Sequence, residues 1–363
     1  MKSSDDHQVC AFGASALLGH LQSIQNEWEG VRQAQDIEYI HRMRVATRRF
    51  RSVFEIFSTC LPKKKRGLWQ TEISALTKSL SKARDLDVHI AILEDVLQNV
   101  PSNQYRPGIH RILLRLRQSR TKLQPEVVAS LDHIEKNGLI QEISTSLQKL
   151  TSDDEISPSP ALYEIAFDAI NRCMNDLLSY DGRIQNPKLV ADLHAMRLAA
   201  KSLRYTMEIF QNLYTDRLED QLAVAKYIQT QLGDIHDDDI WLVKLDKFLV
   251  TEHKRTLKYF GHTRPFNLLQ PGIHFFQDDR RQNRSRLYQE FIPKWEKWKS
   301  GNVWGSLYQA TKLPTIIYHP EPEPLADDQK LPIKDPAETD ESETRQTWQT
   351  NPPADEEPPT ETA

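Results

Sequence analysis

The chain has 363 residues, of which 39% are hydrophobic and 27% are charged, a composition typical of a soluble globular protein with a sizeable core. Glycine is scarce, at 12 residues, and strand-like alternation is rare, so helices are favoured over a β-sheet. No apolar run approaches the ~20 residues of a membrane-spanning helix, and the acidic start, with Asp5 and Asp6, argues against a secretory signal.

The formal net charge of −4 conceals an uneven distribution along the chain. From His319 onward, 13 acidic residues stand against 3 basic ones, a net charge of −10. Residues 1–318 carry 44 basic and 38 acidic residues, a net charge of +6. This basic body favours an anionic partner.

The three cysteines are Cys10, Cys60 and Cys173. Their positions show neither metal-ligand spacing nor a disulfide-like pattern. A reducing, cytoplasmic compartment is therefore the simplest interpretation.

Apolar residues recur at helical spacing on both sides of a short polar segment. Examples are Leu17, Leu21, Ile24, Ile90, Leu93 and Leu97 before it, and Leu162, Ile165, Ala166 and Ile170 after it. The segment itself, residues 151–160, contains Ser, Asp, Glu and two prolines and predicts a linker. We therefore expect an all-α fold with helical halves at residues 10–150 and 161–315. Residues 319–363, rich in Pro, Glu, Asp and Thr, predict a disordered tail that could recruit a protein partner or compete with a bound polyanion.

Two segments of the chain match each other without a gap. His41–Phe57 placed above His194–Phe210 gives 8 identities in 17 positions. A second pair, Leu80–Val88 and Leu232–Ile240, follows in the same order. Two ordered matches indicate an internal duplication. The two copies predict two helical bundles related by a pseudo-twofold axis.

Each copy of the longer segment carries four polar residues at positions i, i+3, i+7 and i+10. These residues are His41, Arg44, Arg48 and Arg51 in the first copy, and His194, Arg197, Lys201 and Arg204 in the second. At about 100° per residue, the four fall within about 80° of arc on an α-helix, opposite a face of apolar residues. Each segment is therefore predicted to form a helix with one core-facing side and one cationic ridge.

The ridges are unusual for a solvated helix face, because no acid follows the cations before Glu55 and Glu208. Neighbouring like charges destabilise a helix. A bound polyanion would offset this repulsion, since charge-assisted hydrogen bonds to phosphate contribute about 1.5–3 kcal/mol each. Arginine matches phosphate geometry, and histidine adds a donor when it is protonated. Two ridges that face one groove would make an anion-binding site.

Two less specific interpretations of the ridges remain open. Each ridge could be an ordinary surface face, or it could pair with acids elsewhere in the chain. The acids in question are Asp85, Asp87, Asp237 and Asp239. Asp85 and Asp237 in particular are expected to hold ridge side chains in place. Because both copies keep the same spacing of cations, we favour ligand binding over either interpretation.

No catalytic signature is found in the sequence. Phosphate-loop, dinucleotide-binding, metalloprotease and nucleophile-elbow motifs are all missing. We therefore expect a protein that is not an enzyme and has neither a cofactor nor a bound metal. Two alternatives remain: a nucleic-acid-binding protein, which the lack of base-reading Asn or Gln on the ridges disfavours, and a metal-dependent enzyme that processes phosphate or polyphosphate.

These motifs, taken together and in this order, resemble the CHAD family, the conserved-histidine α-helical domain. His41–Arg51 is similar to the first motif of the family and Leu193–Tyr205 to the second, and the resemblance extends from about Cys10 to about Leu313. Family members are often fused to a CYTH domain, whose Glu-x-Glu-x-Lys signature is missing here. This chain departs from the pattern at Ser202, where the first copy has Arg49, and at the three acids after His236.

The resemblance implies a pair of helical bundles around a basic central cavity that binds inorganic polyphosphate. It also implies a protein that often resides on polyphosphate granules. From the cysteines and the lack of a long apolar run, we expect a cytoplasmic protein with no membrane partner. The predicted binding residues are His41, Arg44, Arg48, Arg49, Arg51, Arg84, His194, Arg197, Lys201 and Arg204.

Overall fold

The computed structural model describes residues 4–151 and 158–312, and all regular structure in these ranges is helical. The helices of the first part are α1 Ser4–Asn26, α2 Trp28–Gln33, α3 Ile37–Ile56, α4 Arg66–Asn99, α5 Arg106–Lys136 and α6 Leu139–Gln148. Those of the second part are α7 Pro160–Leu178, α8 Val190–Phe210, α9 Glu219–Phe260, α10 Arg264–Asn267, α11 Gln270–Ser300 and α12 Val303–Thr311. The all-α prediction is confirmed. Most of the predicted linker and the whole of the predicted tail lie outside the described residues.

Local signals explain where several helices begin and end. Asp36 precedes α3 in an extended conformation, and its side chain accepts a hydrogen bond from the backbone N–H of Glu38 at 2.9 Å. Ser159 caps α7 in the same way, and Pro160 occupies the first turn, where its missing N–H costs nothing. Gly261 ends the 42-residue helix α9 with a left-handed φ of 72°, which suits glycine.

One large hydrophobic core contains residues from both sequence repeats. The rings of Phe57 and Phe210, which occupy equivalent positions in the two repeats, have centroids 6.0 Å apart. Phe12 of α1 stacks on Phe210 at 6.0 Å. These contacts join the ends of α3 and α8 and place the two ridge-bearing helices side by side. A second, smaller core forms around Trp241 and Phe276, where α4, α5, α9 and α11 meet.

A close backbone contact joins the first turns of α5 and α11. A Cβ atom on Gly108 would collide with the backbone of Leu269 and Gly272, and one on Gly272 would collide with the backbone carbonyl of Tyr105. The tetrapeptide Pro-Gly-Ile-His occurs twice in the chain, at residues 107–110 and at residues 271–274, and each copy contains one of these glycines. This third internal match is additional to the two found from the sequence alone.

The interpretation of the cysteines was wrong for two of the three. Cys10 in α1 and Cys60 after α3 form a disulfide, with Cα atoms 5.3 Å apart. Their separation of 50 residues gives no local spacing signal, and only the packing of α1 on α3 brings them together. Cys173 is a free thiol. The cysteine pattern therefore provides no support for a reducing compartment.

None of the helices in the described ranges combines the length and the apolar character required to cross a membrane.

Candidate anion-binding site

The first ridge lies on α3, and the opposite face of this helix is held in the core. The buried residues of α3 are Ile40, Met43, Ala46, Thr47, Phe50, Val53 and Phe54. This anchoring turns the ridge away from the core. His41, Arg44 and Arg48 are half-buried, and Arg51, at the far end, is exposed.

The second ridge lies on α8 and is arranged in the same way. The buried residues of α8 are Leu193, Met196, Ala199, Ala200, Leu203, Tyr205, Thr206, Met207 and Phe210. The four ridge residues, His194, Arg197, Lys201 and Arg204, are all half-buried. Because this helix cannot rotate without exposing its apolar face, the direction in which the second ridge points is fixed.

A cavity of about 370 Å³ lies between α3, α4, α8 and α9. Six of the ten predicted site residues line it, and they are His41, Arg44, Arg48, Arg84, Arg197 and Lys201. Both ridges therefore contribute to one space. Other polar residues of its wall are Asp85, His89, Gln229, His236, Asp237 and Lys244.

A second cavity, of about 180 Å³, adjoins the first. Arg48 and Lys201 line both cavities and therefore lie where the two meet, a position that we call the neck. Arg51, Gln70 and Tyr205 line the second cavity beyond the neck. Seven predicted residues thus line these two adjoining cavities, which together we call the groove.

Most cations of the groove have no carboxylate partner. Among the described residues, no ion pair within 4.0 Å involves Arg44, Arg48, Arg51, Arg197 or Lys201. The Nε of Arg44 donates to the Ser81 hydroxyl at 3.1 Å. The buried Nε of Arg197 has no partner within the described ranges. These groups retain their capacity to bind an anion.

The other three predicted arginines are paired. Arg49 and Arg204 both bind the carboxylate of Glu208, at 3.2 Å and 2.7 Å. Arg49 lines a third cavity rather than the groove, and Arg204 lines none of these three cavities. Arg84 lines the groove and contacts Glu38 at 3.4 Å. Glu208 therefore reduces the positive charge at one end of the second ridge.

Two of the four acids that could have neutralised the ridges are held by arginines of other helices, and so is the neighbouring Asp238. Three such pairs are Asp87 with Arg120 at 2.7 Å, Asp238 with Arg280 at 3.0 Å, and Asp239 with Arg284 at 2.5 Å. These arginines belong to α5 and α11. Asp85 and Asp237 line the cavity, but within the described part of the chain neither forms an ion pair with a ridge cation. The expectation that these two acids clamp the ridges is wrong.

The electrostatic environment of Lys201 is strongly positive. Burial, followed by the neighbouring Arg48 and Arg197, lowers the pKa of its amine to about 8. Burial also lowers the pKa of Arg48, with Arg44 and Arg197 adding to the effect and Tyr205 opposing it. The guanidinium of Arg48 lies over the ring of Tyr205, at 5.5 Å from its centroid. The protein thus concentrates positive charge at the neck.

The histidines of the two ridges are in environments that favour the neutral form. Burial and the nearby Arg84 lower the pKa of His41, and burial and Arg197 lower that of His194. His194 does not line the cavity but lies against His236, with ring centroids 4.0 Å apart. Burial and His194 lower the pKa of His236 to about 4. A bound phosphate would oppose these shifts and favour protonation.

Comparison with known proteins agrees with the helical architecture. The model of the CHAD domain family matches residues 15–246. The chain belongs to the CHAD domain family. The matched region contains both ridges and every residue that we name along the groove. No curated protein matches the chain.

Two solved structures resemble this CHAD protein. The CHAD domain from the plant Ricinus communis is 21% identical, with a TM-score of 0.55 and coverage of 73% of this chain and 91% of that one. PptA from Streptomyces chartreusis is 13% identical, with a TM-score of 0.50 and coverage of 79% and 99%. At these identities the similarity supports the fold alone.

Several residues of the CHAD groove were not predicted from the sequence. They are Gln70, His89, Gln229, His236 and Lys244. His236 is in a repeated segment and could have been found from its position, which matches that of Arg84 in the first copy. His89 and Lys244, whose nitrogens are 3.4 Å apart, come from α4 and α9 and meet only through the packing of these helices.

The described residues contain no group of three or more His, Cys, Asp or Glu side chains that could hold a metal ion.

Proposed function

We propose that this protein binds inorganic polyphosphate along the groove between its two ridges, without catalysing a reaction. The supporting observation is that cations of α3 and α8 without an ion-pair partner among the described residues line two adjoining cavities. The family implies the same ligand. We further propose that the protein is cytoplasmic and associates with polyphosphate granules.

The form of the groove suits a linear chain of phosphates. From residue 41 to residue 51 a ridge extends for about 15 Å, at 1.5 Å per residue. Its cations recur every three or four residues and therefore every ~5 Å along the helix. A polymer with a negative charge on each phosphate can contact several of them at once. Because these side chains are already half-buried between helices, the loss of side-chain entropy on binding is reduced.

The same features disfavour nucleic acid as the main ligand. A helix that reads duplex DNA must protrude far enough to enter a groove of the duplex. The ridges instead lie between neighbouring helices, in cavities of about 370 Å³ and 180 Å³. We therefore expect duplex DNA to compete poorly against polyphosphate at equal phosphate concentration.

The test is isothermal titration with polyphosphate of defined length at several salt concentrations. We expect submicromolar affinity that weakens with salt, because binding releases counterions. The double substitution R48A/R197A should reduce affinity by at least about 100-fold, since two charge-assisted contacts of about 1.5–3 kcal/mol are lost. It should also lower the salt slope by about 1.4, by analogy with single-stranded nucleic acids.

The matched control is R281A/R286A, which also removes two positive charges. Arg281 and Arg286 are exposed, and among the described residues their ion pairs are with acids one turn away on α11. This control should retain the wild-type salt slope. Equal affinity of both double variants would contradict the proposal, and so would efficient displacement of polyphosphate by duplex DNA. Colocalisation of a fluorescent fusion with granules, lost in R48A/R197A alone, would support the proposed localisation.

A further inference from the structure

Lys201 occupies an unusual position for a lysine. It lies at the neck between the two cavities, where the facing residue of α3 is Arg48. Arg44, Arg51 and Arg197 are close enough to act on its charge, and the described residues include no carboxylate within 4.0 Å of it. Its amine is therefore surrounded by groups that bind phosphate and by none that would hold it as an ammonium ion.

This environment provides the two components of an acyl transfer. The arginines can hold a phosphoryl group by charge-assisted hydrogen bonds and can stabilise it as it leaves. The amine can act as the nucleophile when it is neutral, and its pKa of about 8 makes a substantial neutral fraction available near physiological pH. Both components face the same space at the neck.

We propose that Lys201 is a site of acylation by small acyl phosphates, which bind in the groove through their phosphoryl group; this inference rests on the proposed anion-binding function. The amine of Lys201 attacks the carbonyl carbon of the acyl phosphate. A C–N bond forms, the bond from the carbonyl carbon to the phosphoryl oxygen breaks, and the amine proton passes to the departing phosphate. The products are an amide on Lys201 and hydrogen phosphate.

The acylated side chain would change the groove in two ways. The amide is neutral, so the neck loses one of the cations that both cavities share. The acyl group also adds volume where Arg48 and Lys201 define the passage between the cavities. Acylation would therefore weaken polyphosphate binding and couple it to the supply of acyl phosphates. Each Lys201 would be acylated once, and the reaction would not be catalytic.

The same cavity contains an internal control. Lys244 lines its other end, near Asp85 and Asp237 and 3.4 Å from the ring nitrogen of His89. Burial lowers the pKa of Lys244 as well. The nearby carboxylates would repel a phosphoryl anion, so a reagent directed by its phosphate should modify Lys201 before Lys244. A neutral reagent should discriminate less between them.

The experiment treats the full chain with acetyl phosphate and, separately, with acetic anhydride. Peptide mass spectrometry then measures initial acetylation rates at Lys201, at Lys244 and at the exposed Lys64. With acetyl phosphate we expect Lys201 to react about tenfold faster than Lys64, because its larger neutral fraction outweighs its lower intrinsic nucleophilicity. Excess polyphosphate should protect Lys201 and leave Lys64 unaffected.

Substitutions separate this inference from the proposed function. R48A should slow the reaction at Lys201 with both reagents, because the loss of Arg48 raises the pKa of the amine, but it should slow the reaction with acetyl phosphate more, because only that reagent also loses a phosphate contact. K201Q, which mimics the amide, should weaken polyphosphate binding more than K64Q, which removes the same charge from the surface. If wild-type protein binds polyphosphate but acetyl phosphate shows no preference for Lys201, the acylation proposal is overturned and the proposed function stands. If acetyl phosphate selects Lys201 and R48A abolishes that preference, although titration detects no polyphosphate binding, acylation stands and the polyphosphate assignment is overturned.

Discussion

Replacing Lys201 by arginine is expected to change the pH dependence of polyphosphate binding without removing a charge. In the free protein the pKa of Lys201 is lowered to about 8 by burial and by Arg48 and Arg197. A bound polyanion stabilises the ammonium form and should return the pKa to at least the ordinary value of about 10.4. Binding is then accompanied by proton uptake above pH 8. Arginine remains charged throughout this range, so K201R should not show the effect.

The size of the effect follows from these two pKa values. At pH 9 about nine-tenths of the free amines would be neutral and would have to be protonated on binding, which weakens affinity about tenfold, or by about 1.4 kcal/mol. At pH 7 the corresponding weakening is only about 1.1-fold. Wild-type affinity should therefore fall about tenfold more than that of K201R between pH 7 and pH 9.

In the free protein, the pH dependence of folding stability that Lys201 causes has the opposite sign to the pH dependence of binding. The folded pKa of Lys201 lies below its unfolded value, so between about pH 8 and pH 10.4 the unfolded chain binds more protons. The contribution of Lys201 to folding stability therefore rises with pH over this range, while its contribution to binding falls. A single amine would produce both trends, and both should disappear in K201R.

The assay is isothermal titration at pH 7, 8 and 9 in pairs of buffers that differ in ionisation enthalpy, which also counts the protons taken up. Lys244 and the cavity histidines are unchanged in K201R. Subtracting the proton uptake of K201R from that of the wild type therefore removes the contribution of these groups. K226R, at an exposed site on α9, is the matched control and should behave as wild type. Identical pH profiles for wild type and K201R would refute the reasoning.

Three further predictions concern other parts of the molecule. E208Q should strengthen polyphosphate binding severalfold at low salt in a titration, because Arg49 and Arg204 lose their shared carboxylate; an unchanged Kd would show that neither arginine reaches the ligand. F210A should lower the free energy of unfolding by about 3–5 kcal/mol in urea, since it removes a fully buried ring between the two repeats, and a loss below 1 kcal/mol would contradict this packing. Removing residues 319–363, whose net charge is −10, should raise polyphosphate affinity at low salt but not at high salt, and equal affinities would dismiss competition by the tail.

The helical fold and the ridges could be predicted because both are properties of local periodicity. The spacing that places Arg44 and Arg48 on one face also places Met43 and Phe50 in the core, so a single pattern determines both. The repetition of that pattern at residues 194–204 indicated that its charge was not incidental. The third match, Pro-Gly-Ile-His, could not be singled out from the sequence because it is short. The distance along the chain between its two copies also differs from that of the other two matches.

Which charges are neutralised could not be predicted, because pairing depends on contacts between distant parts of the chain. The pair of Arg204 with Glu208 has the i,i+4 spacing that a helix favours. The pair of Arg49 with the same carboxylate joins residues 159 positions apart. The disulfide between Cys10 and Cys60 has the same origin. The packing of α3 against α8 and α1, which periodicity does not specify, decides the last two of these cases.

The pairing of acids elsewhere explains how the groove remains positive in a chain whose total charge is negative. The acidic segments that follow each ridge contain candidates for neutralising it, but Asp87 is bound by Arg120, and Asp239 by Arg284. Because α5 and α11 supply these arginines, they affect the groove without contacting it. A buried carboxylate with a close arginine is a poor partner for a second cation, since its charge is already compensated. The cations of the ridges therefore remain available, and their mutual repulsion at Lys201 is the property that an anionic ligand would relieve.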